Sequence, residues 1–298
     1  MTRTDQKDAR MDHDTQSSLI ESVARVELRV RDIDEALGFY GDIAGLEVVD
    51  KGPDQATLSA PGGPVVLILR SDGVDSSALR NATGLYHTAI RYPDRTALAN
   101  ALARLARAGY RIGASDHGVS EALYIDDPDG NGVEFYRDRP RDQWPAPNTQ
   151  YRTPMFNAPL DLDGLLGDAD DSATAGAAPA TDIGHVHLQV SDLERTRAFY
   201  VDVLGLDLMA EFPGQAGFFA SGGYHHHLGA NTWHSRWGSS APKNHAGLNA
   251  IVFNVTPDEL DKVRLRLAEH GYAVAGSDAE LVVPDPDGIE LRFATSGA

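Results

Sequence analysis

Three consecutive histidines, His225, His226 and His227, follow a Gly-Gly turn in the segment GGYHHHLGANTW. Such runs are rare outside purification tags and metal sites, and imidazole nitrogen is a common ligand of first-row divalent metals. The chain has no cysteine, so thiolate ligands, disulfides and cysteine nucleophiles are excluded. Any metal site must therefore be built from histidine nitrogen and carboxylate oxygen.

The elements that would hold this run belong to an internal repeat. Residues 25–30 alternate apolar and polar side chains as a half-buried strand does, and a helix follows that Asp32 caps and Gly45 ends. The same landmarks return 160 positions later: Asp32 and Asp192, Tyr40 and Tyr200, Gly45 and Gly205. An offset that is kept through strand, cap and helix end indicates a repeated unit of the form βαβββ.

Each half of the chain contains a second, variant copy of this unit. In the first half it comprises a strand at 84–91, a helix at 94–109 and the turn Asp-Pro-Asp-Gly at 127–130. The counterpart in the second half begins with a strand at 247–253 and repeats the turn at 285–288. The sequence therefore predicts four modules.

The modules define the predicted domains. Residues 1–20 are polar and charged and are expected to be disordered. Residues 21–138 form a first domain and residues 182–296 a second, each with two modules, and the second is expected to hold the metal. Residues 139–181, which are rich first in Pro and then in Asp, Ala and Gly, form a linker.

Composition excludes several classes of partner. The 298-residue chain has a net charge of −18, which disfavours nucleic acid and anionic membranes. No apolar run approaches the ~18 residues of a membrane span, and the N-terminus lacks the apolar core of a signal peptide, so a soluble cytoplasmic protein is expected. The acidic excess fits either a GC-rich genome or a high-salt cytosol, which salt-dependent unfolding would distinguish.

The helices DIDEALGFY and DLERTRAFY and the segments DPDGNGVEFY and DPDGIELRF, on four βαβββ units, resemble the vicinal oxygen chelate superfamily of glyoxalases, bleomycin-resistance proteins and extradiol dioxygenases. The segments YHHHLGANTW and SDHGVSEALYIDDPDGNGVEFYRDRP are most similar to catechol 2,3-dioxygenases of the CatE type. The resemblance implies an α+β fold: four modules form two vicinal-oxygen-chelate domains with U-shaped, cup-forming mixed sheets. Ligands come from the first and last strands of the modules.

Strand parity indicates which side chains point into the cup, because successive residues of a strand face opposite sides. In residues 185–190 the apolar side chains take the helix side, which leaves His185 and His187 facing the cup. In residues 289–293 the same argument turns Glu290 into the cup.

The histidine run is placed by matching Leu228 with Leu291 as helix-facing residues. His225 and His227 then point into the cup, and His226 points toward the helices. His227 thereby holds the last-strand ligand position.

The resemblance places a first-strand ligand seven residues before Asp192, at His185. The predicted metal set is His185, His227 and Glu290, with His225 as the alternative if a bulge changes parity. Two histidines and one carboxylate leave positions open on Fe(II) for a bidentate substrate and O2. Fe(II) is the expected metal, with Mn, Zn or Ni as alternatives.

The first half matches the family only in part. His87 and Glu134 stand at ligand positions, and Tyr124 matches the tyrosine that contacts substrate in extradiol enzymes, but Arg25 replaces the first histidine. Either Glu27 substitutes for that histidine, or the polar residues of a decayed site now support the sheet.

The second half also departs from the family. Ala250 stands where the fourth module is expected to supply a histidine, and Val282 stands at the tyrosine position. The middle ligand would therefore have to come from the histidine run.

The resemblance implies an extradiol ring-cleaving dioxygenase that acts on a small, catechol-like aromatic substrate with O2. His187 or His245 would act as general base and acid. Two alternatives stay open: a glyoxalase-like metal-dependent isomerase or hydrolase, and a non-enzymatic protein that binds an aromatic or antibiotic. The sequence also leaves a homo-oligomer open.

Overall fold

The computed structural model describes residues 19–170 and 176–295. Within these ranges the chain folds into four successive βαβββ modules with curled mixed sheets, so the predicted α+β fold class is confirmed. Nearly all of the predicted disordered tail, residues 1–20, lies outside the described part. No helix in the described ranges is long and apolar enough to cross a membrane.

The bounds of the elements follow the predicted repeat. Module 1 contains β1 (Ser22–Arg29), α1 (Ile33–Leu37), β2 (Glu47–Lys51), β3 (Gln55–Ser59) and β4 (Val65–Arg70). Module 2 contains β5 (Gly84–Arg91), α2 (Arg95–Arg107), β6 (Gly113–Asp116), β7 (Ser120–Asp126) and β8 (Gly132–Asp138). The linker contains a 3₁₀ turn (Arg141–Gln143) and α3 (Leu162–Leu166).

The second half repeats this order. Module 3 contains β9 (Asp182–Gln189), α4 (Leu193–Arg197), β10 (Asp207–Phe212), β11 (Ala216–Ala220) and β12 (Leu228–Asn231). Module 4 contains β13 (Gly247–Val255), α5 (Pro257–Glu269), β14 (Ala275–Gly276), β15 (Glu280–Pro284) and β16 (Glu290–Thr295). In modules 1 and 3 the helix continues as a π-helical turn, Gly38–Ile43 and Ala198–Val203 respectively.

The helices begin where a side chain can cap them. Asp32 and Asp192 accept hydrogen bonds from the backbone N–H groups of Glu35 and Arg195, at 3.0 and 2.9 Å. Gly45 follows the first of these helices with φ of 85°. A Cβ at this glycine would lie 2.4 Å from a backbone nitrogen of the linker, so a glycine is needed for both reasons.

The sixteen strands of the described ranges form two eight-stranded sheets. The first sheet has the order β14-β15-β16-β13-β1-β4-β3-β2, so it joins module 4 to module 1. The second sheet has the order β10-β11-β12-β9-β5-β8-β7-β6, so it joins module 3 to module 2. At the centre of each sheet the first strands of two modules pair antiparallel, β1 with β13 and β9 with β5.

This pairing differs from the domain division made on sequence. Residues 21–138 and 182–296 group the modules by chain order, whereas each sheet takes one module from each half. A repeat in the sequence locates the modules but carries no information on which first strands pair. The sheets, and not the halves of the chain, therefore determine which side chains share a cup.

Modules that are consecutive in the chain are joined by their helices and turns. The hydroxyl of Tyr40 in module 1 donates to Asp127 Oδ2 in module 2 at 3.0 Å. The hydroxyl of Tyr200 donates to Asp285 Oδ2 at 3.1 Å, between modules 3 and 4. The two Asp-Pro-Asp-Gly turns thus anchor each helix of the preceding module to the neighbouring sheet.

The linker is packed against the modules. Leu165 of α3 is fully buried, and Arg95 of α2 donates to the carbonyl oxygen of Gly164. The backbone of Asp116 on β6 exchanges hydrogen bonds with Ala158 at 2.9 Å. The linker consequently covers the edge of the second sheet and reaches its cup.

Candidate active site

A row of four residues crosses the second sheet. Tyr124 on β7 pairs with Glu134 on β8, and Glu134 pairs with Ala89 on β5. Ala89 pairs in turn with His185 on β9. Side chains in such a row point to the same face, and His87, two residues before Ala89, shares it. The small alanine leaves open the space that the larger side chains surround.

Three of these side chains form a compact cluster. Nε2 of His87 lies 2.9 Å from Oε2 of Glu134, and Nε2 of His185 lies 3.2 Å from the same oxygen. One ligand atom from each residue lies within 4.8 Å of the other two. The side chains are at most 7% exposed. The cluster is therefore close enough, and dry enough, to hold one ion.

The protonation states of His185 and Glu134 are those of metal ligands. Burial lowers the pKa of His185 to about 4, so its imidazole is neutral at pH 7. Burial acts to raise the pKa of Glu134, but His185 and His87 outweigh it and hold that pKa well below its ordinary value. Metal binding requires a neutral imidazole and an ionised carboxylate, and both are present.

An unsatisfied atom indicates that the cluster fits a metal. Nε2 of His87 lies 2.9 Å from Glu134 but is buried without a properly aligned hydrogen-bond partner among the described residues. Leaving such a polar atom unsatisfied costs about 1–3 kcal/mol, which a bound ion offsets. Two imidazoles and one carboxylate suit a divalent first-row metal.

The structure does not bring together the predicted set of His185, His227 and Glu290. Glu290 lies on β16 in the other sheet, where its carboxylate accepts from Arg292 Nη2 at 2.6 Å. Nδ1 of His227 accepts the backbone N–H of Ser221 at 3.2 Å. The prediction combined modules 3 and 4, but module 3 shares its sheet with module 2.

The corresponding row of the first sheet has arginines in place of two site residues. Arg292 on β16 pairs with Val252 on β13, and Val252 pairs with Arg25 on β1. These two arginines occupy the register positions of Glu134 and His185. The first sheet therefore cannot repeat the cluster.

Glu27 neutralises one of these two arginines, Arg292, together with Arg70 on the adjacent strand β4. It is 1% exposed and accepts hydrogen bonds from Arg70 Nε at 3.0 Å and from Arg292 Nη1 at 3.1 Å. Asn249 donates to the same carboxylate at 3.1 Å. Glu27 is therefore the counter-ion of a buried network that supports the sheet, whereas His87 and Glu134, the other polar residues of this half, belong to the cluster.

The histidine run precedes β12 as irregular backbone, so strand parity does not apply to it. The prediction that His226 faces the helices is contradicted, because this residue lines the cup. Its ring centroid lies 4.0 Å from that of His185 and 5.0 Å from that of Phe218. The alternative ligand His225 turns away from the cluster, and its Nε2 lies 2.8 Å from Asp138 Oδ1.

The two predicted acid–base histidines lie in different places. His187 lines the cup, its Nε2 lies 3.0 Å from Asn231 Nδ2, and burial lowers its pKa well below the ordinary value. A Cβ at Gly229 would be 2.8 Å from the His187 ring, so only glycine allows this approach. His245 bonds Asn244 at 3.2 Å and does not line the cup.

Tyr124 forms a pair with His117, whose role the sequence did not indicate. The Tyr124 hydroxyl lies 2.6 Å from His117 Nε2, and His117 Nδ1 lies 3.0 Å from the carbonyl oxygen of Phe156. A carbonyl can only accept, so Nδ1 carries the proton and Nε2 accepts from the tyrosine. Burial raises the pKa of Tyr124 well above its ordinary value, so it stays protonated.

The cup opens into a cavity of about 440 Å³, a size typical of small-molecule sites. Its walls are largely aromatic: Tyr86, Phe156, Phe212, Phe218 and Trp233. Its polar lining comprises two cluster residues, the hydrogen-bonded pair of Tyr124 and His117, two further histidines and four neutral polar residues: His87, Glu134, Tyr124, His117, His187, His226, Ser115, Ser120, Asn157 and Gln215. Phe156 and its neighbour Met155 come from the linker, a contribution that the sequence analysis missed.

Comparisons with known proteins identify the family and the fold that this chain resembles. Residues 22–135 and 182–293 match the model of the Glyoxalase/Bleomycin resistance protein/Dioxygenase superfamily. A catechol-2,3-dioxygenase of Bacillus subtilis (strain 168) is 42% identical over 279 residues, which cover 91% of this chain and 96% of that protein.

Solved structures share the fold at low sequence identity. A candidate dioxygenase from Bacillus subtilis subsp. subtilis str. 168 superposes with a TM-score of 0.61 at 16% identity, over 95% of this chain and 87% of that chain. Glyoxalase I from Zea mays superposes with a TM-score of 0.54 at 17% identity, over 92% of each chain.

Proposed function

The chain belongs to the Glyoxalase/Bleomycin resistance protein/Dioxygenase superfamily, and from that premise we propose that it is an extradiol dioxygenase that opens the ring of a catechol-like diol. The cluster of His87, Glu134 and His185 would hold ferrous iron. The observation that carries the proposal is the position of this cluster at the base of an aromatic cavity that also holds Tyr124 and His226. The name of the Bacillus subtilis relative supports the same activity.

Ferrous iron held by His87, His185 and Glu134 would supply the electronic coupling between a diol and O2. The substrate supplies the electrons, so no organic cofactor is required. Both atoms of O2 enter the product as a ring bond beside the diol breaks. A reaction of this kind needs a dry, aromatic cavity, which the protein provides.

Two groups of the chain would handle the diol. Because the Tyr124 proton is donated to His117, the tyrosine oxygen is free to accept from a substrate hydroxyl and to orient it. His226 lies over His185 and is buried, and burial lowers its pKa well below the ordinary value. It is therefore neutral beside the cluster and has a nitrogen lone pair that would accept a hydroxyl proton.

The test uses untagged protein loaded with Fe(II) without oxygen and mixed with catechol. On admission of air we expect a yellow ring-fission product and consumption of one O2 per catechol. Glu134→Gln should abolish turnover. Glu290→Gln is the matched control, because this glutamate also lies on the last strand of a module but in the other sheet.

The outcome separates the rival functions. Turnover of a substrate without O2 would indicate a metal-dependent isomerase or hydrolase in place of a dioxygenase. If no catechol of a broad panel is turned over while iron is bound at full occupancy, the proposal is contradicted. Activity with Mn, Zn or Ni and none with Fe(II) would correct the metal alone.

A further inference from the structure

Two polar side chains continue from His226 away from the cavity. Nδ1 of His226 lies 2.8 Å from Nδ1 of His225, and Nε2 of His225 lies 2.8 Å from Asp138 Oδ1. His225 is fully buried and Asp138 is 23% exposed at its side chain. The three groups form a continuous chain of hydrogen bonds that begins beside the metal cluster and ends at the end of β8.

Asp138 holds the far end of this chain in place. Its carboxylate accepts from the Tyr224 hydroxyl at 3.0 Å and from Arg91 Nη1 at 3.1 Å. Burial acts to raise the pKa of Asp138, but the hydrogen bond from His225, the charge of Arg91 and the hydrogen bond from Tyr224 lower it. Asp138 is consequently ionised and can only accept hydrogen bonds.

The hydrogen-bond directions then follow in order. An acceptor at Asp138 requires a proton on Nε2 of His225, so Nδ1 of a neutral His225 is an acceptor. The facing Nδ1 of His226 must carry a proton in order to donate to it. Nε2 of His226 is therefore the nitrogen with a free lone pair.

The ring of His225 cannot turn out of this arrangement. It lies between two aromatic rings, with centroids 4.1 Å from Tyr224 and 5.4 Å from Trp144. It is also fixed by a carboxylate of module 2, while the ring itself belongs to module 3. The chain of hydrogen bonds thus ties the orientation of His226 to the sheet that carries the cluster.

We propose that Asp138 and His225 are positioning residues that fix the tautomer and the ring orientation of His226, so that Nε2 is the base offered to the substrate. This role rests on the proposed dioxygenase function. Two residues of the histidine run then have different roles: His226 contacts the substrate, and His225 connects His226 to Asp138 by hydrogen bonds.

Asp138→Asn tests the proposal because the side-chain amide can donate to His225 where the carboxylate can only accept, which reverses the hydrogen bonds from His225 to His226. An amide N–H donated to Nε2 of His225 moves the proton of that ring to Nδ1, and the facing Nδ1 of His226 becomes the acceptor. The proton of His226 then sits on Nε2, the wrong nitrogen. We expect kcat to fall on the order of 10²-fold, the usual size of a general-base contribution, with KM and iron content unchanged.

Two variants are matched controls. Asp182→Asn alters the other carboxylate bound by Arg91, at 2.6 Å, without touching His225, and should leave kcat unchanged. Asp138→Glu keeps an acceptor-only group and should restore most of the activity. In a His226→Ala background, Asp138→Asn should have no further effect on kcat.

Nitrogen-15 spectra of histidine in the full-length, metal-free protein report the tautomer directly. We expect a protonated Nδ1 on His226 in the unsubstituted protein and a protonated Nε2 in Asp138→Asn. The same tautomer in both proteins, or equal losses of kcat in Asp138→Asn and Asp182→Asn, would overturn the proposal. A protein with no ring-cleaving activity would contradict the proposed function, while the spectra would still decide the tautomer.

Discussion

Arg292 occupies in the first sheet the register position that Glu134 occupies in the second. The difference turns a carboxylate that can bind a metal into a guanidinium that repels one. Arg25 likewise occupies the register position of His185, so a guanidinium stands there in place of an imidazole. The molecule therefore has two similar cups with opposite electrostatics, one suited to a cation and one closed by its own ion pairs.

Substitution of the shared carboxylate should remove the metal. Glu134→Gln deletes the anionic ligand and leaves two imidazoles, so we expect affinity for a divalent metal to fall by more than ~10-fold, the lower bound for changes even beyond the ligands. Competition with a chelator, followed by metal analysis, measures the effect. Glu290→Gln should match the unsubstituted protein, and an equal loss in this variant would place the metal in the other sheet.

Removal of the counter-ion in the first sheet should cost stability but not activity. Glu27→Gln leaves Arg70 without its carboxylate and Arg292 with Glu290 as its remaining carboxylate, and breaking a buried ion pair costs about 3 kcal/mol. Because the two arginines are 42% and 25% exposed, water compensates part of this and the loss should be smaller. Chemical denaturation measures it, and kcat per folded molecule should not change. A loss of bound metal in Glu27→Gln would show instead that this residue is a ligand.

The hydroxyl of Tyr124 should matter for the substrate more than for the metal. Tyr124→Phe removes the group that lies 2.6 Å from His117, while His117 keeps its bond to the carbonyl oxygen of Phe156. We expect kcat/KM for catechol to fall ~10-fold or more, since an oriented hydrogen bond to the diol is lost. Iron content should stay constant. Unchanged kinetics would mean that the hydroxyl does not meet the substrate.

The sequence predicted the modules well because their signals are local. Alternating apolar residues, capping aspartates and the Asp-Pro-Asp-Gly turns depend on near neighbours, and the structure confirms each of them. Strand parity predicted that His185 faces the cup, and this residue lies in the cluster. The resemblance placed His87 and Glu134 at ligand positions of a partial site in the first half, separate from the predicted set of His185, His227 and Glu290.

The site itself depends on which modules pair their first strands, and local sequence patterns do not determine that pairing. Strand β5 pairs with β9, so His87 and Glu134 of module 2 lie beside His185 of module 3. Module 4, which the prediction used instead, lies in the other sheet. A second error arose where parity was applied beyond a strand. Residues 225–227 form irregular backbone. His226 therefore lines the cup although Leu228, two residues later, is in the core, where parity would have placed both side chains on one face.

Acid should unfold the protein partly through His227. Burial, with further contributions from His225 and Arg91, lowers the pKa of His227 to about 3, against ~6.5 in an unfolded chain. Between these values the unfolded chain binds a proton that the folded protein does not, so stability is lost as the pH falls from 6.5 toward 3. The dependence on pH approaches ~1.4 kcal/mol per unit for one proton. His227→Gln should lower the slope by about one proton in this window and leave it unchanged above pH 8, as measured by denaturant unfolding at a series of pH values. An identical slope in both proteins would show that His227 accepts its proton as readily in the folded state.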